Sequence, residues 1–478
     1  MIDLAEQLFT FSTSKQIVMS ASKYQNLPQV SSELDHPHGD PSDSFEIEEA
    51  IDDSEELELE GIMTQKGKSN MGNAFMNMAN SILGAGIIGQ PYAFRNCGMV
   101  GALLVMVLLT VLVDWTIRLV IINTKLSGTH SYQGSVYHCF GNKGKYVILL
   151  AQGLFAYGGS MAFCVIIGDT IPHVIRSVFK SAIQSNRFLD FLLSRNSIII
   201  LTTCFISYPL ALNRDISKLS KASGLALVSM LIIVIIVLAR GPAVSSELKG
   251  SMSLRNWFFD IGMFQGISVI SFALVCHHNT TFIYRSMKKA TLDRFTQLTH
   301  ISCAIAMVCC SIMGIAGFAI FKDKTKGNIL NNFPADDWVV NIARFCFGFN
   351  MLTTFPLEIF VVRDIVKDVM NGSDAEELST KSHFIITTLL SFSAMFVSLL
   401  TCNLGAILEL TGATSASIMA YILPPLCYAK MSPNRKGLFN WYAPYLCVAF
   451  GLSVMVLSTI QTLVTSFYGK SDAGHCVT

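Results

Sequence analysis

Two stretches of the chain set polar and conformationally permissive residues among apolar ones. The first reads Asn80-Ser81-Ile82-Leu83-Gly84-Ala85-Gly86-Ile87-Ile88-Gly89-Gln90-Pro91. The second reads Gly266-Ile267-Ser268-Val269-Ile270-Ser271-Phe272-Ala273-Leu274-Val275-Cys276-His277-His278-Asn279. Glycines and a proline at the density of the first stretch weaken a helix. A helix broken inside a membrane bares N–H groups and a positive dipole end next to unpaired carbonyls. Those two poles match the carboxylate and the ammonium of a zwitterion, so an amino acid is the expected ligand class. Either stretch alone would read more readily as a packing surface, because small residues commonly line helix contacts in membranes. Their recurrence at corresponding positions, argued below, favours a transport site.

A second group of residues could move ions. Thr353 and Thr354 offer hydroxyl oxygens, and Glu358 lies one turn beyond Thr354 and two residues past Pro356. A carboxyl group held away from bulk water there is a candidate proton carrier. His277 and His278 also titrate near neutral pH when unperturbed. For each, a hydrogen-bonded structural role is the competing expectation. Other charges in apolar runs need separate reasons, since charge near the bilayer centre is costly. Asp114 and Arg118, four residues apart, should pair with each other. Asp169 suits gating, capping or packing near the end of its span. Glu409 stands close enough to a span end to reach water. Asn279-Thr280-Thr281 and Asn371-Gly372-Ser373 have the form of glycosylation sites, but the first falls within a span and the second on the cytoplasmic side, so neither should be used.

The elements that must position these residues follow from composition. Charged residues are only 14% and hydrophobic ones 51%, against about 25% charged for soluble globular chains. Mean hydropathy is +0.50. A nucleic-acid binder, a secreted disulfide scaffold and an ordinary soluble enzyme all fit poorly, and a polytopic membrane protein fits well. Runs of roughly 20 apolar residues, enough to cross a bilayer as helix, fall at 72–95, 98–123, 145–174, 196–212, 222–240, 262–284, 297–321, 336–362, 382–401, 404–428 and 441–467. The interrupted stretches are the first and sixth of these eleven, and therefore the leading members of two five-helix halves. An odd count places the termini on opposite sides. Lys and Arg are modestly more frequent in the loops that share the N-terminal side, which favours a cytoplasmic N-terminus.

Ahead of the spans, residues 1–70 carry four basic and fifteen acidic side chains. A segment so charged and so poor in apolar residues is expected to be a disordered cytoplasmic tail. It has no cleavable-leader pattern. Ser54, before Glu55 and Glu56, has an acidic context for phosphorylation, against the plainer expectation of an unmodified tail. The transporter domain would occupy residues 71–468, and residues 469–478 a short C-terminal tail. The thirteen cysteines show no metal-ligand spacing, and most sit in apolar runs as small hydrophobes. Cys97 and Cys402 fall in loops assigned to one side, where a bridge is conceivable. No GxxxxGK[ST] loop and no HExxH motif occurs, which argues against ATP hydrolysis and against a membrane-embedded enzyme. No cofactor or nucleic acid is expected.

At these residues the chain resembles the amino acid/auxin permease family, and within it the fungal vacuolar amino acid transporters and the animal sodium-coupled neutral amino acid transporters. The matching pieces are NSILGAGIIGQPYAF, DWTIRL, GDTIP, SFALVCHHN, TTFPLE and GATSAS, in order between about residues 70 and 430. The resemblance implies an all-α, five-plus-five inverted-repeat fold with an eleventh helix, broken helices one and six, and alternating access to a central site. It places the substrate carboxylate at Ser81, Ile82, Leu83, Gly84, Ala85 and Gly86, and the facing carbonyls at Ser271, Phe272 and Ala273. Sodium-using relatives place the ion between spans one and eight, which matches Asn80, Thr353 and Thr354, whose oxygens suit a hard cation. The resemblance to vacuolar members, with Glu358, points instead to protons. The expected function is amino acid transport across a vacuolar or lysosome-like membrane, driven by a proton or, alternatively, a sodium gradient. An amino-acid-sensing receptor using the same cavity is the alternative.

Overall fold

The computed structural model describes residues 69–180, 186–214, 223–251, 257–258, 262–371, 378–433 and 437–468. The acidic tail with Ser54, the last residues of the chain, and Gly372 and Ser373 of the second glycosylation pattern lie outside the described residues. The described chain is helical, and its one β contact is an isolated bridge between Ser69 and Met287.

Helix α1 (Met71–Leu83) starts at Asn70, whose side chain accepts from the Asn73 amide. It ends at Gly84, with φ −41° and ψ −138°. A tight turn over Ala85–Gly89 follows, and α2 (Gln90–Cys97) resumes with Pro91 in its first turn, where a missing amide costs nothing. The next two helices, α3 (Met99–Leu126) and α4 (Tyr132–Val178), are long. After α5 (Arg187–Leu192), a segment is assembled from α6 (Arg195–Thr202), a widened turn over Thr203–Ser207, and α7 (Tyr208–Ala211). Helix α8 (Ser223–Arg240) precedes the second divided segment, α9 (Met263–Leu274) and α10 (His277–Ser286), between which Val275 is extended. Then come α11 (Leu292–Phe321), α12 (Trp338–Asn371) and α13 (Thr380–Leu400). Helix α14 (Leu404–Thr411) passes through a wide-wound stretch over Gly412–Ile422 into α15 (Leu423–Met431), and α16 (Leu438–Tyr468) ends the described chain.

Among the described residues, nine helical stretches are long and apolar enough to cross a membrane. Of the other two expected runs, 72–95 is divided at Gly84, and 196–212 is one helical run, Arg195–Ala211, that widens over Thr203–Ser207. The outward faces are apolar, as Leu104, Leu108, Leu150, Ile235, Leu389, Leu446 and Ile460 show, while charged and polar side chains such as Asp114, Gln152, Asp169 and Arg344 are buried. This distribution suits lipid as the surrounding solvent, because polar groups in hydrocarbon must find partners inside the protein. Helices α4 and α12 pack along each other, α9 against α2, and α11 against α1, α2 and α3.

Most polar expectations in the spans can be placed. Asp114 and Arg118 pair at 3.0 Å, and His300 Nδ1 lies 2.9 Å from the second Asp114 oxygen. Two expectations need correction. Glu409 does not reach water: it is 2% exposed, covered by α16 and α9, and accepts from Thr462 Oγ1 at 2.8 Å and Gln265 Nε2 at 3.1 Å. Cys97 is a free, buried thiol rather than one half of a bridge to Cys402.

Candidate functional site

The two divided segments meet inside the helix bundle. Ser81, Ile82 and Leu83 form the last turn of α1, Gly84, Ala85 and Gly86 the link beyond it, and Ser271, Phe272 and Ala273 the last turn of α9. Gly86 touches Ala273 so closely that a Cβ on Gly86 would overlap the Ala273 Cα and Cβ atoms. Glycine is required there by the approach of two main chains. One turn earlier, Asn279 Nδ2 on α10 donates to Ser81 Oγ at 3.2 Å. The first residues of α10 have no side-chain cap, although the Asn279 amide donates to the Cys276 carbonyl at 3.0 Å, so the positive end of this helix carries no side-chain partner. Some of the poles are already paired. Gln90 Nε2 donates to the Gly86 carbonyl at 3.0 Å, and the Val275 amide to the Ser271 carbonyl at 3.0 Å. Ser271 Oγ shares a hydrogen bond with the buried Tyr421 hydroxyl at 2.9 Å.

Helix α4 forms one wall. Its Phe155 ring lies 5.3 Å from that of Phe272 and 5.2 Å from that of His278, centre to centre. One turn on, Gly159 faces Glu358: a Cβ at Gly159 would stand 3.8 Å from the Glu358 Cγ and Cδ atoms. His278 and Glu358 therefore flank a single turn of α4. Glu358 Oε2 is buried and has no hydrogen-bond partner, and the same holds for His277 Nδ1 and His278 Nδ1. The other nitrogen of His277, Nε2, is 2.9 Å from Thr116 Oγ1, which is the hydrogen-bonded structural role weighed for it.

The two threonine hydroxyls considered for sodium each bond to main-chain carbonyls of their own helix. Thr353 Oγ1 donates to the carbonyls of Asn350 (2.9 Å) and Phe349 (3.3 Å), and Thr354 Oγ1 donates to the Asn350 carbonyl (2.8 Å). All three bonds follow from the place of these residues in α12, where a threonine reaches the carbonyls one turn back. Among the described residues, no hydrogen bond joins Asn80 to either threonine. No cluster of three or more His, Cys, Asp or Glu residues able to hold a metal ion occurs among the described residues.

No sequence motif marks Asn279 or Tyr421, which bond to the two divided segments. Their partners lie 198 and 150 positions away in sequence, and the only local signal is a polar side chain within an apolar run.

With this geometry in place, comparison with known proteins is decisive for the family. The model of the transmembrane amino acid transporter protein family matches residues 67–464. The chain belongs to this family of amino acid transporters. It is 52% identical over 417 residues to vacuolar amino acid transporter 2 of Saccharomyces cerevisiae, covering 86% of each chain. It is 34% identical over 398 residues to the putative sodium-coupled neutral amino acid transporter 11 of Danio rerio, covering 83% of this chain and 86% of the relative. The Bos taurus protein of the same name is 31% identical over 412 residues, with 86% of each covered. The transporter is thus a multi-pass membrane protein of a transporter family rather than an enzyme family. These relatives carry transporter names, and the receptor alternative gains no support from them.

Proposed function

We propose that this protein carries amino acids across a vacuolar membrane by alternating access, with transport coupled to a proton gradient. The observation that carries the reading is the contact between the two divided segments, at Gly86 against Ala273 and Ser81 against Asn279. On this reading the segments α1–α2 and α9–α10 are the leading members of two inverted repeats, and α16 is the additional helix. The turn from Ser81 to Gly86 receives the substrate carboxylate, and the last carbonyls of α9, from Ser271 to Ala273, receive its ammonium. Main-chain poles recognise what all α-amino acids share, so selectivity falls to surrounding side chains such as Phe155, Phe272 and Tyr421.

Glu358 is the proposed proton carrier. Its buried, unpartnered oxygen stands one helical turn from the Phe155–His278 contact, where a proton can be exchanged as the site alternates. The vacuolar assignment rests on the yeast relative's name and its 52% identity. Sodium remains the second reading, supported by the names of the animal relatives and by the oxygens of Asn80, Thr353 and Thr354.

The deciding experiment is uptake of each of the twenty amino acids into liposomes containing the purified protein, at two pH values and with or without imposed proton and sodium gradients. Accumulation driven by the proton gradient is expected. Binding without net flux under every gradient would defeat the transporter reading in favour of a receptor.

A further inference from the structure

Two thiols far apart in sequence meet where α4 begins and the tenth span ends. Cys139, in the stretch of α4 ahead of Gly141, directs its Sγ at the Cys427 carbonyl of α15 at 3.9 Å. The two thiols are themselves in hydrogen-bonding contact. Both are free and buried, Cys139 at 5% exposure and Cys427 at 0%. Cys139 is nevertheless close to solvent, because its neighbours Tyr137, His138 and Asn142 are exposed. Lys430 completes the group. Its Nζ donates to the Cys139 carbonyl at 2.6 Å and lies 5.0 Å from the centre of the Phe140 ring, close enough for its charge to act on the Cys139 sulfur. A cation beside a thiol favours the thiolate, the form that attacks oxidants. The Lys430 bond also holds the two main chains together, so closing a sulfur–sulfur bond falls to the side chains rather than to the helices.

We propose that Cys139 and Cys427 are a redox modification site, which hydrogen peroxide closes to a disulfide between the start of α4 and the end of the tenth span. The Cys139 thiolate attacks one peroxide oxygen, so that an S–O bond forms and the O–O bond breaks. The displaced hydroxide takes up the proton that the thiol released and leaves as water. The Cys427 sulfur then attacks the resulting sulfenic acid: an S–S bond forms, the S–O bond breaks, and a second water carries off the Cys427 proton. The two sulfurs together give up two electrons, and the peroxide accepts them. A thiol reductant reopens the bond by exchange. With the N-terminus cytosolic, as the loop charges favour, both residues lie toward a compartment that keeps thiols reduced, where such a bond is transient and reports oxidant. The consequence for transport rests on the proposed function. Phe155 on α4 and Tyr421 just ahead of α15 both stand at the contact of the divided segments. A covalent tie between these two elements resists any change in the spacing of the site's walls, and it slows transport for as long as it lasts.

The test uses the full-length protein in liposomes, exposed to hydrogen peroxide and then denatured with N-ethylmaleimide, which caps every thiol still free. Proteolysis and mass spectrometry should find one peptide pair joined through Cys139 and Cys427, absent before oxidation and lost with dithiothreitol. Uptake should fall severalfold as the joined pair accumulates and recover on reduction. Cys139→Ser and Cys427→Ala should each lose the joined pair and keep their uptake through peroxide treatment, and either variant serves should the other fold poorly. Recovery of both cysteines after peroxide as maleimide adducts, or as separate oxygen acids, would overturn the site. Joining without a fall in uptake, or a fall that persists in both variants, would overturn its control of transport. Because joining is read without flux, a joined pair in a protein that moves nothing before oxidation would sink only the transport reading.

Discussion

At the residue scale, the proton and sodium readings part at two side chains. Glu358→Gln keeps the shape of the carboxyl group but cannot exchange a proton, so uptake should lose its dependence on pH while substrate binding stays within about twofold, an expectation drawn from general acid–base behaviour. Thr354→Ala should leave proton-driven uptake unchanged, and it should abolish sodium stimulation only if sodium couples. Uptake at matched gradients checks both, and unchanged behaviour in the pair would remove both assignments. Gly86→Val tests the contact itself. Its side chain would meet the Ala273 main chain, and uptake should fall by about a hundredfold or more, in line with what small misplacements cost at a site. Membrane insertion, read by fractionation, should persist. The Gly86 position was legible in the sequence because three glycines crowd a span that needs helix formers. Glu409 was not, because linear distance to a span end says nothing of what covers it. Thr462, on a helix that follows 53 positions later, supplies the cover.

At the element scale, buried pairs show what fastens one helix to another. The Asp114–Arg118 pair lies within α3, and His300 brings α11 to the same carboxylate. Asp114→Asn would strand a buried guanidinium, so it should cost about 3–5 kcal/mol, the usual penalty for breaking such a pair. Asp114→Leu together with Arg118→Leu should recover most of it. Thermal unfolding in detergent, followed by the onset of aggregation, distinguishes the two. The i, i+4 spacing made this pair readable from sequence, whereas the third partner, 186 positions away, was not. The same limit explains the segment 196–212. Its hydropathy marks a run long enough to cross, but only the fold shows the helix widening over Thr203–Ser207.

At the scale of the whole molecule, hydropathy made the membrane class and the all-helical architecture readable, since lipid leaves so few backbone solutions. Sidedness depends on a modest charge bias and has to be measured. With eleven crossings, a tag placed before residue 1 should be cleaved by protease added to the cytoplasmic face of intact vacuoles, and a tag after residue 478 should be protected. Cleavage of both would mean an even number of crossings and would undo the eleventh crossing, leaving room for the ten of a five-plus-five arrangement.

A joint at Gly141 breaks the line of α4. With φ 63° and ψ −155°, a backbone shape that few residues other than glycine tolerate, it separates a short arm, residues 132–140, from the rest of the rod. The arm is fastened at both ends to the lower half of the tenth span: Tyr132 OH donates to the Met419 carbonyl at 2.8 Å, and Lys430 Nζ to the Cys139 carbonyl at 2.6 Å. Two bonds thus pin the arm to residues 419–430, so its angle to the rest of α4, the stretch that passes Glu358, is set by a neighbouring span and not by α4 itself.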